Sequence, residues 1–134
     1  MMPTRLYTAA AGIFLLLQGT STLAFRLFPP LDQAFPALLA VTHMIAPHSI
    51  LHILTGVVAL VVLLRGGERG SWWFAAGFGL FYVGLALFGM ITHHPTVLDL
   101  QPFDHPIHLS LGVLGLVVAW VYLVRVRRRK AASL

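Results

Sequence analysis

The stretch PHSILHILTGVVALVVLL, residues 47–64, decides the fold because it contains no Lys, Arg, Asp or Glu and is apolar almost throughout. A helix needs about 20 residues to cross a hydrocarbon core of about 30 Å, at a rise of about 1.5 Å per residue. Three further stretches are apolar over a similar length, at about 6–25, 72–92 and 104–124. Within lipid every backbone amide needs an internal partner, and the alternation of a barrel strand is missing here. The sequence therefore predicts an all-α membrane protein with four transmembrane helices.

The composition agrees with one membrane domain over residues 1–134. The chain is 58% apolar, only 10% charged and free of cysteine, a balance unlike that of soluble domains. Without cysteine there is no disulfide, no thiolate metal site and no cysteine nucleophile. The pI is near 10.8, but five of the nine basic residues follow the last apolar stretch: Arg125, Arg127, Arg128, Arg129 and Lys130. We expect this tail, 125–134, to contact anionic lipid headgroups rather than nucleic acid.

The positions of Lys and Arg predict the orientation in the membrane. Arg5, Arg65, Arg69 and the basic tail all lie at one end of the predicted spans, whereas the other end carries only Arg26. Positive residues near span ends are retained in the cytoplasm, so both termini are predicted to be cytoplasmic. An alternative is that the first span is a cleaved signal peptide, because Arg5 precedes an apolar core that runs into small residues at 22–24.

An internal repeat of two helix pairs is also predicted. Spans two and four match at an offset of 56, which aligns His52 with His108 and Gly56 with Gly112. Spans one and three match at an offset of 65, so that Gly12 aligns with Gly77 and Gly19 with Gly84. Two-span units enter the membrane in the same sense, which predicts parallel repeats. The outer connection is longer in the first half, where residues 34–45 are too short to span and predict an interfacial helix.

The histidines concentrate on the predicted outer side of the membrane. All seven lie at or near that face: His43, His48, His52, His93, His94, His105 and His108. His48 and His52 lie one turn apart on span two, and Asp104 and His108 hold the matching places on span four. Residues four apart share a helix face, so each pair can point toward the bundle axis. Imidazole and carboxylate suit Zn²⁺ or Cu²⁺, so His48, His52, Asp104 and His108 form a candidate metal site.

Three alternatives to a metal site stay open at this level. Asp104 is a good helix N-cap with Pro106 in the first turn, and the histidines can be interfacial groups bonded to loop carbonyls. His52 and His108 can also be read as a pair of axial haem ligands. Titration of His52 in a pH sensor is the third alternative.

The sequence favours a structural or binding module over an enzyme. No phosphate-binding glycine loop, Gly-x-Ser-x-Gly elbow or His-Glu-x-x-His pair occurs in the chain, although such motifs carry common catalytic chemistries. The alternative is a small transporter or a complex subunit that handles a metal ion or a proton. No span holds a charged residue at mid-depth, where ion-coupled transporters usually carry their coupling group. An oligomer or a larger complex is compatible with a four-helix chain.

Two segments, PHSILH at 47–52 and FDHPIH at 103–108, carry a resemblance to a known family. Each runs into an apolar stretch with glycine, and together they resemble small bacterial four-helix membrane proteins of unknown function. Members show His-Asn-x-x-His at the second span and Asp-Asn-x-x-His at the fourth. The resemblance implies a four-helix fold in the bacterial plasma (inner) membrane, with polar positions at His48, His52, Asp104 and His108. This chain departs from both patterns at the Asn, where Ser49 and His105 stand.

Overall fold

The structure, a computed structural model, describes residues 2–36, 44–92 and 98–133. No strand occurs in these ranges. Their helices are α1 (Pro3–Leu27), α2 (Pro29–Ala34), α3 (Ala46–Arg65), α4 (Gly67–Thr92) and α5 (Asp104–Ala131). All except the short α2 are long and apolar enough to cross a membrane. Each predicted span lies within one of these four helices, so the prediction of an all-helical chain with four candidate spans is confirmed.

Local chemistry accounts for the helix ends. Proline stands in the first two positions of α1, α2 and α3, where its missing N–H removes no helical hydrogen bond. The turn from α3 into α4 passes through Gly67 at a φ of 57°, a left-handed conformation that favours glycine. Helix α5 continues to Ala131. The basic residues that follow the predicted fourth span therefore belong to the same helix as that span.

The outer connections are described only in part. The interfacial helix predicted over 34–45 falls mostly on residues 37–43, which lie outside the described residues. His43 is one of these residues. Helix α2 ends at Ala34, where the predicted helix was expected to begin. His93 and His94 also lie outside the described residues.

Two antiparallel hairpins form the bundle, with α1 packed along α3 and α4 packed along α5. Glycines stand where the paired helices cross. A Cβ atom added to Gly56 would lie 2.9 Å from the carbonyl oxygen of Gly12, and one added to Gly112 would lie 2.9 Å from that of Gly79. No side chain fits at such distances, so these glycines let the helix backbones touch. Between the hairpins, the hydroxyl of Tyr7 donates a hydrogen bond of 2.8 Å to the carbonyl oxygen of Leu111.

Burial along α3 and α5 follows the predicted offset of 56. The equivalent buried pairs are His48 with Asp104, His52 with His108, Gly56 with Gly112, and Ala59 with Gly115. The two helices therefore present corresponding faces to the interior of the bundle.

Burial along α1 and α4 does not follow the predicted offset of 65. A Cβ atom added to Gly77 or Gly84 would have no neighbouring atom within 4 Å, so these two glycines lie on the open surface of α4. The buried residues of α1 and α4 correspond instead at an offset of 67, which pairs Gly12 with Gly79. The predicted register of spans one and three is therefore wrong by two residues, because glycines facing outward were matched with glycines at the crossing. The internal repeat itself stays a prediction.

Candidate metal centre

Three histidines meet at the end of the bundle where α3 and α5 begin. His48 and His52 lie in the first two turns of α3, and His108 lies in the second turn of α5. The close crossings at Gly56 and Gly112, one turn further along each helix, hold these turns near the bundle interior. The exposed fractions of the three side chains are 1% for His48, 3% for His52 and 2% for His108.

The three imidazole rings pack against one another. Their centroids lie 4.6 Å apart for His48 and His52, 5.9 Å for His48 and His108, and 6.2 Å for His52 and His108. One potential ligand atom from each ring lies within 4.8 Å of the other two. Nitrogen atoms around a tetrahedral zinc ion at 2.0–2.1 Å lie roughly 3.4 Å apart. Side-chain shifts of about 1 Å would therefore bring these atoms to coordination distance.

Each of these rings also has an unpaired polar atom. The Nδ1 atoms of His48, His52 and His108 are buried and have no hydrogen-bond partner within the described part of the chain. Leaving a buried polar atom unpaired costs about 1–3 kcal/mol, and native proteins rarely accumulate such atoms at one place. Coordination of a metal ion by these nitrogen atoms would remove this cost. No carbonyl of the described loop residues accepts a hydrogen bond from these Nδ1 atoms, and the alternative of histidines bonded to loop carbonyls stays a prediction.

Tyr82 of α4 completes the surroundings of the cluster. Its hydroxyl oxygen lies 3.3 Å from Nε2 of His52, and its ring stands nearly perpendicular to that of His108, with 4.7 Å between centroids. Tyr82 does not stand out in the sequence, because span three carries many aromatic residues. The available signal was its spacing from Ala75 and Phe78, at which residues three and four apart share one buried helix face.

Asp104, the fourth predicted ligand, is engaged with the backbone one turn before His108. Its Oδ2 atom accepts a hydrogen bond of 2.8 Å from the N–H of Gln101, and its own N–H donates one of 2.9 Å to the Gln101 carbonyl oxygen. The side chain is buried and is the first residue of α5, with Phe103 in the N-cap position. Its carboxylate is not among the atoms within 4.8 Å of one another. The structure thus brings together three of the four predicted residues and holds the fourth in a turn.

Ser49 and His105 have different neighbours in the two hairpins. The hydroxyl oxygens of Ser49 and Thr22 share a hydrogen bond of 2.8 Å. His105 packs instead over Gly89, since the three atoms nearest to a Cβ added at Gly89 all belong to the His105 ring. Gly89 is the counterpart of Thr22 at the offset of 67. In the second hairpin a glycine therefore lies against the large His105 ring, whereas in the first hairpin Thr22 lies against the small Ser49. Neither Ser49 nor His105 belongs to the group of three histidines.

Comparison with known proteins identifies a family whose function is unknown. No curated protein and no solved structure matches the chain. Residues 5–121 match a domain of unknown function, DUF4383, in agreement with the expected family of unknown function; the Asn-containing motifs stay predictions. Because this match covers most of the 134 residues, the chain belongs to the DUF4383 family.

Proposed function

We propose that this chain is a non-catalytic, multi-pass protein of the bacterial plasma membrane that binds one divalent metal ion, Zn²⁺ or Cu²⁺. The ligands are His48, His52 and His108, with Asp104 as the fourth through the carboxylate oxygen that does not accept the hydrogen bond from Gln101. The convergence of three buried imidazoles with unpaired Nδ1 atoms carries the proposal. Neutral imidazole and carboxylate bind both ions, and four protein ligands are typical of a structural site.

The ion would act as a crosslink between the two hairpins. His48 and His52 belong to α3 of the first hairpin, whereas His108 and Asp104 belong to α5 of the second. An ion that binds the native bundle and not the unfolded chain stabilises the native bundle by a free energy that grows with the logarithm of the ion concentration divided by its dissociation constant. The opposite end of the bundle carries most of the Lys and Arg residues. We therefore place the metal centre on the outer side of the membrane and both termini in the cytoplasm.

Metal retention by the purified protein tests this proposal. The full chain, carrying an affinity tag without histidine, is purified in detergent, loaded with Zn²⁺ or Cu²⁺, desalted and analysed for metal content. We expect one ion per wild-type chain and none in the double variant His48→Ala/His108→Ala. The matched control is His105→Ala, because His105 is on the same helix and also has a buried, unpaired Nδ1 atom, yet lies outside the cluster. A wild type that retains no more metal than the double variant overturns the proposal.

A second double variant separates loss of ligands from loss of folding. His48→Gln/His108→Gln keeps polar side chains of similar length but removes the imidazole nitrogens. Far-UV circular dichroism and gel filtration establish whether it is folded and monodisperse like the wild type. A folded Gln variant without metal supports the proposal, and a folded Gln variant that retains one ion contradicts it.

A further inference from the structure

An apolar groove runs between α4 and α5 near the opposite end of the bundle. Its walls are formed by Trp72, Ala76, Leu116, Val117, Ala119, Trp120 and Leu123. The indole N–H of Trp72 donates a hydrogen bond of 3.1 Å to the Ala119 carbonyl oxygen. Trp120 on the other wall is 65% exposed. The groove therefore offers hydrocarbon surface, bordered by two tryptophans of the kind enriched at membrane interfaces.

An arginine follows the wall contributed by α5 on the same face of the helix. Leu116, Trp120, Leu123 and Arg127 follow one another at intervals of four, three and four residues, which places them on one face of the helix. Arg127 is exposed. At about 1.5 Å per residue, Leu116 and Arg127 are roughly 16 Å apart along the axis. This length is close to the hydrocarbon thickness of one leaflet, about 15 Å.

An arginine precedes the wall contributed by α4 as well. Arg69 precedes Trp72 by three residues and Ala76 by seven, so it shares their helix face. It is exposed, like Arg127. Because α4 and α5 are antiparallel neighbours, Arg69 near the start of α4 and Arg127 near the end of α5 lie at the same end of the groove. Along the groove, an apolar surface is thus followed by two arginines. A phospholipid has the same order, with an apolar acyl chain followed by a charged headgroup.

We propose that this groove binds one anionic phospholipid, with an acyl chain between Trp72 and Trp120 and the phosphate held by Arg69 and Arg127. The planar guanidinium group binds phosphate through two parallel hydrogen bonds. Basic sites between transmembrane helices fit anionic headgroups. The site differs from general attraction of lipids to the basic tail because it requires two particular arginines from different helices. It also lies far from the histidine cluster and does not depend on metal binding.

Native mass spectrometry with added lipid tests the headgroup contacts. The detergent-purified full chain is titrated with phosphatidylglycerol and, separately, with phosphatidylcholine. We expect a preference for phosphatidylglycerol, and a loss of affinity of roughly thirtyfold in Arg69→Gln/Arg127→Gln if each cation contributes as it does at membrane surfaces. The matched control is Arg128→Gln/Arg129→Gln, which makes the same change in charge on other faces of α5. Equal losses in both double variants overturn the proposal, since they indicate diffuse attraction to the tail.

The acyl-chain contact is tested by filling the groove. Ala76→Phe introduces a ring into the wall contributed by α4 while both arginines remain. We expect this variant to bind less phosphatidylglycerol while its circular dichroism and gel filtration stay as in the wild type. Unchanged lipid binding in a folded Ala76→Phe variant contradicts the groove as the site. A second copy of the chain is the other occupant that the test can reveal. A cross-linked dimer that is lost in Trp120→Ala, without any preference for phosphatidylglycerol, would overturn the lipid proposal.

Discussion

The hydroxyl oxygen of Tyr82 lies 3.3 Å from Nε2 of His52. This contact joins α4 to the histidine cluster, to which α3 and α5 contribute the rings. When the proton of His52 is on Nε2, that nitrogen donates to the tyrosine oxygen and Nδ1 is left with a lone pair. Histidine ligands in metal sites nearly always have such a partner on the other ring nitrogen, which fixes the tautomer and the orientation of the ring.

Removal of this partner is expected to weaken metal binding without abolishing it. Tyr82→Phe removes only the hydroxyl, and loss of such partners typically lowers metal affinity about 10–100-fold. We therefore expect a Zn²⁺ affinity at least about tenfold lower, with one ion still bound, in competition titrations against a chromophoric chelator. Tyr122→Phe is the matched control, because Tyr122 stacks on Trp72 with 6.1 Å between centroids, away from the cluster. Identical affinities for Tyr82→Phe and wild type contradict the assigned role.

Replacement of Asp104 separates a ligand from a turn residue. Asp104→Asn retains an oxygen that can accept the hydrogen bond from the Gln101 N–H, but it removes the negative charge. If the carboxylate is the fourth ligand, Zn²⁺ affinity falls by more than about tenfold in the same competition titration while circular dichroism is unchanged. A variant that binds Zn²⁺ as tightly as wild type shows that Asp104 serves only the turn before α5.

The glycine crossings predict a contrast between two chemically identical substitutions. Gly56→Ala places a Cβ atom 2.9 Å from the Gly12 carbonyl oxygen and 2.7 Å from the Leu16 side chain, and overpacking of this kind costs about 1–3 kcal/mol. We expect a thermal midpoint several degrees lower in detergent. Gly77→Ala meets no atom within 4 Å, and alanine favours helix by about 1 kcal/mol, so its midpoint should equal or exceed that of wild type. Equal midpoints for the two variants would be inconsistent with the crossing.

The contact between Gly89 and His105 predicts non-additive stabilities. Gly89→Thr adds a side chain where the His105 ring lies, so its thermal midpoint should fall below that of wild type. Addition of His105→Ser recreates the pair found at Thr22 and Ser49 and should recover part of the loss. Residues in contact show coupling energies of about 0.5–3 kcal/mol in such cycles. Strictly additive effects would mean that the two positions do not touch.

The number, order and approximate extent of the long helices could be predicted because apolar runs of this length have few backbone solutions in lipid. The meeting of His48, His52 and His108 could be predicted for a second reason. Two helices with the same pattern of polar first turn and glycine, aligned at an offset of 56, present these side chains to the same interior.

The register of α4 and the role of Tyr82 could not be predicted in this way. Helix α4 is apolar on all sides, so no polar stripe marks the face that packs inward. Which of Gly77 and Gly79 lies at the crossing is decided by contacts with α5, which composition does not record. Asp104 illustrates the same limit, because its spacing from His108 indicates a shared face but not the hydrogen bond to Gln101 that holds its carboxylate.

X-ray absorption at the zinc edge, on tag-free protein loaded with one equivalent of Zn²⁺, tests the metal centre most directly. We predict a first shell of four nitrogen or oxygen atoms at about 2.0–2.1 Å, with the outer-shell scattering of three imidazole rings. That imidazole signal should persist in His105→Ala and disappear in His48→Gln/His108→Gln. A first shell of oxygen atoms without imidazole scattering, or a spectrum unchanged by the double substitution, would contradict a metal ion held by His48, His52 and His108.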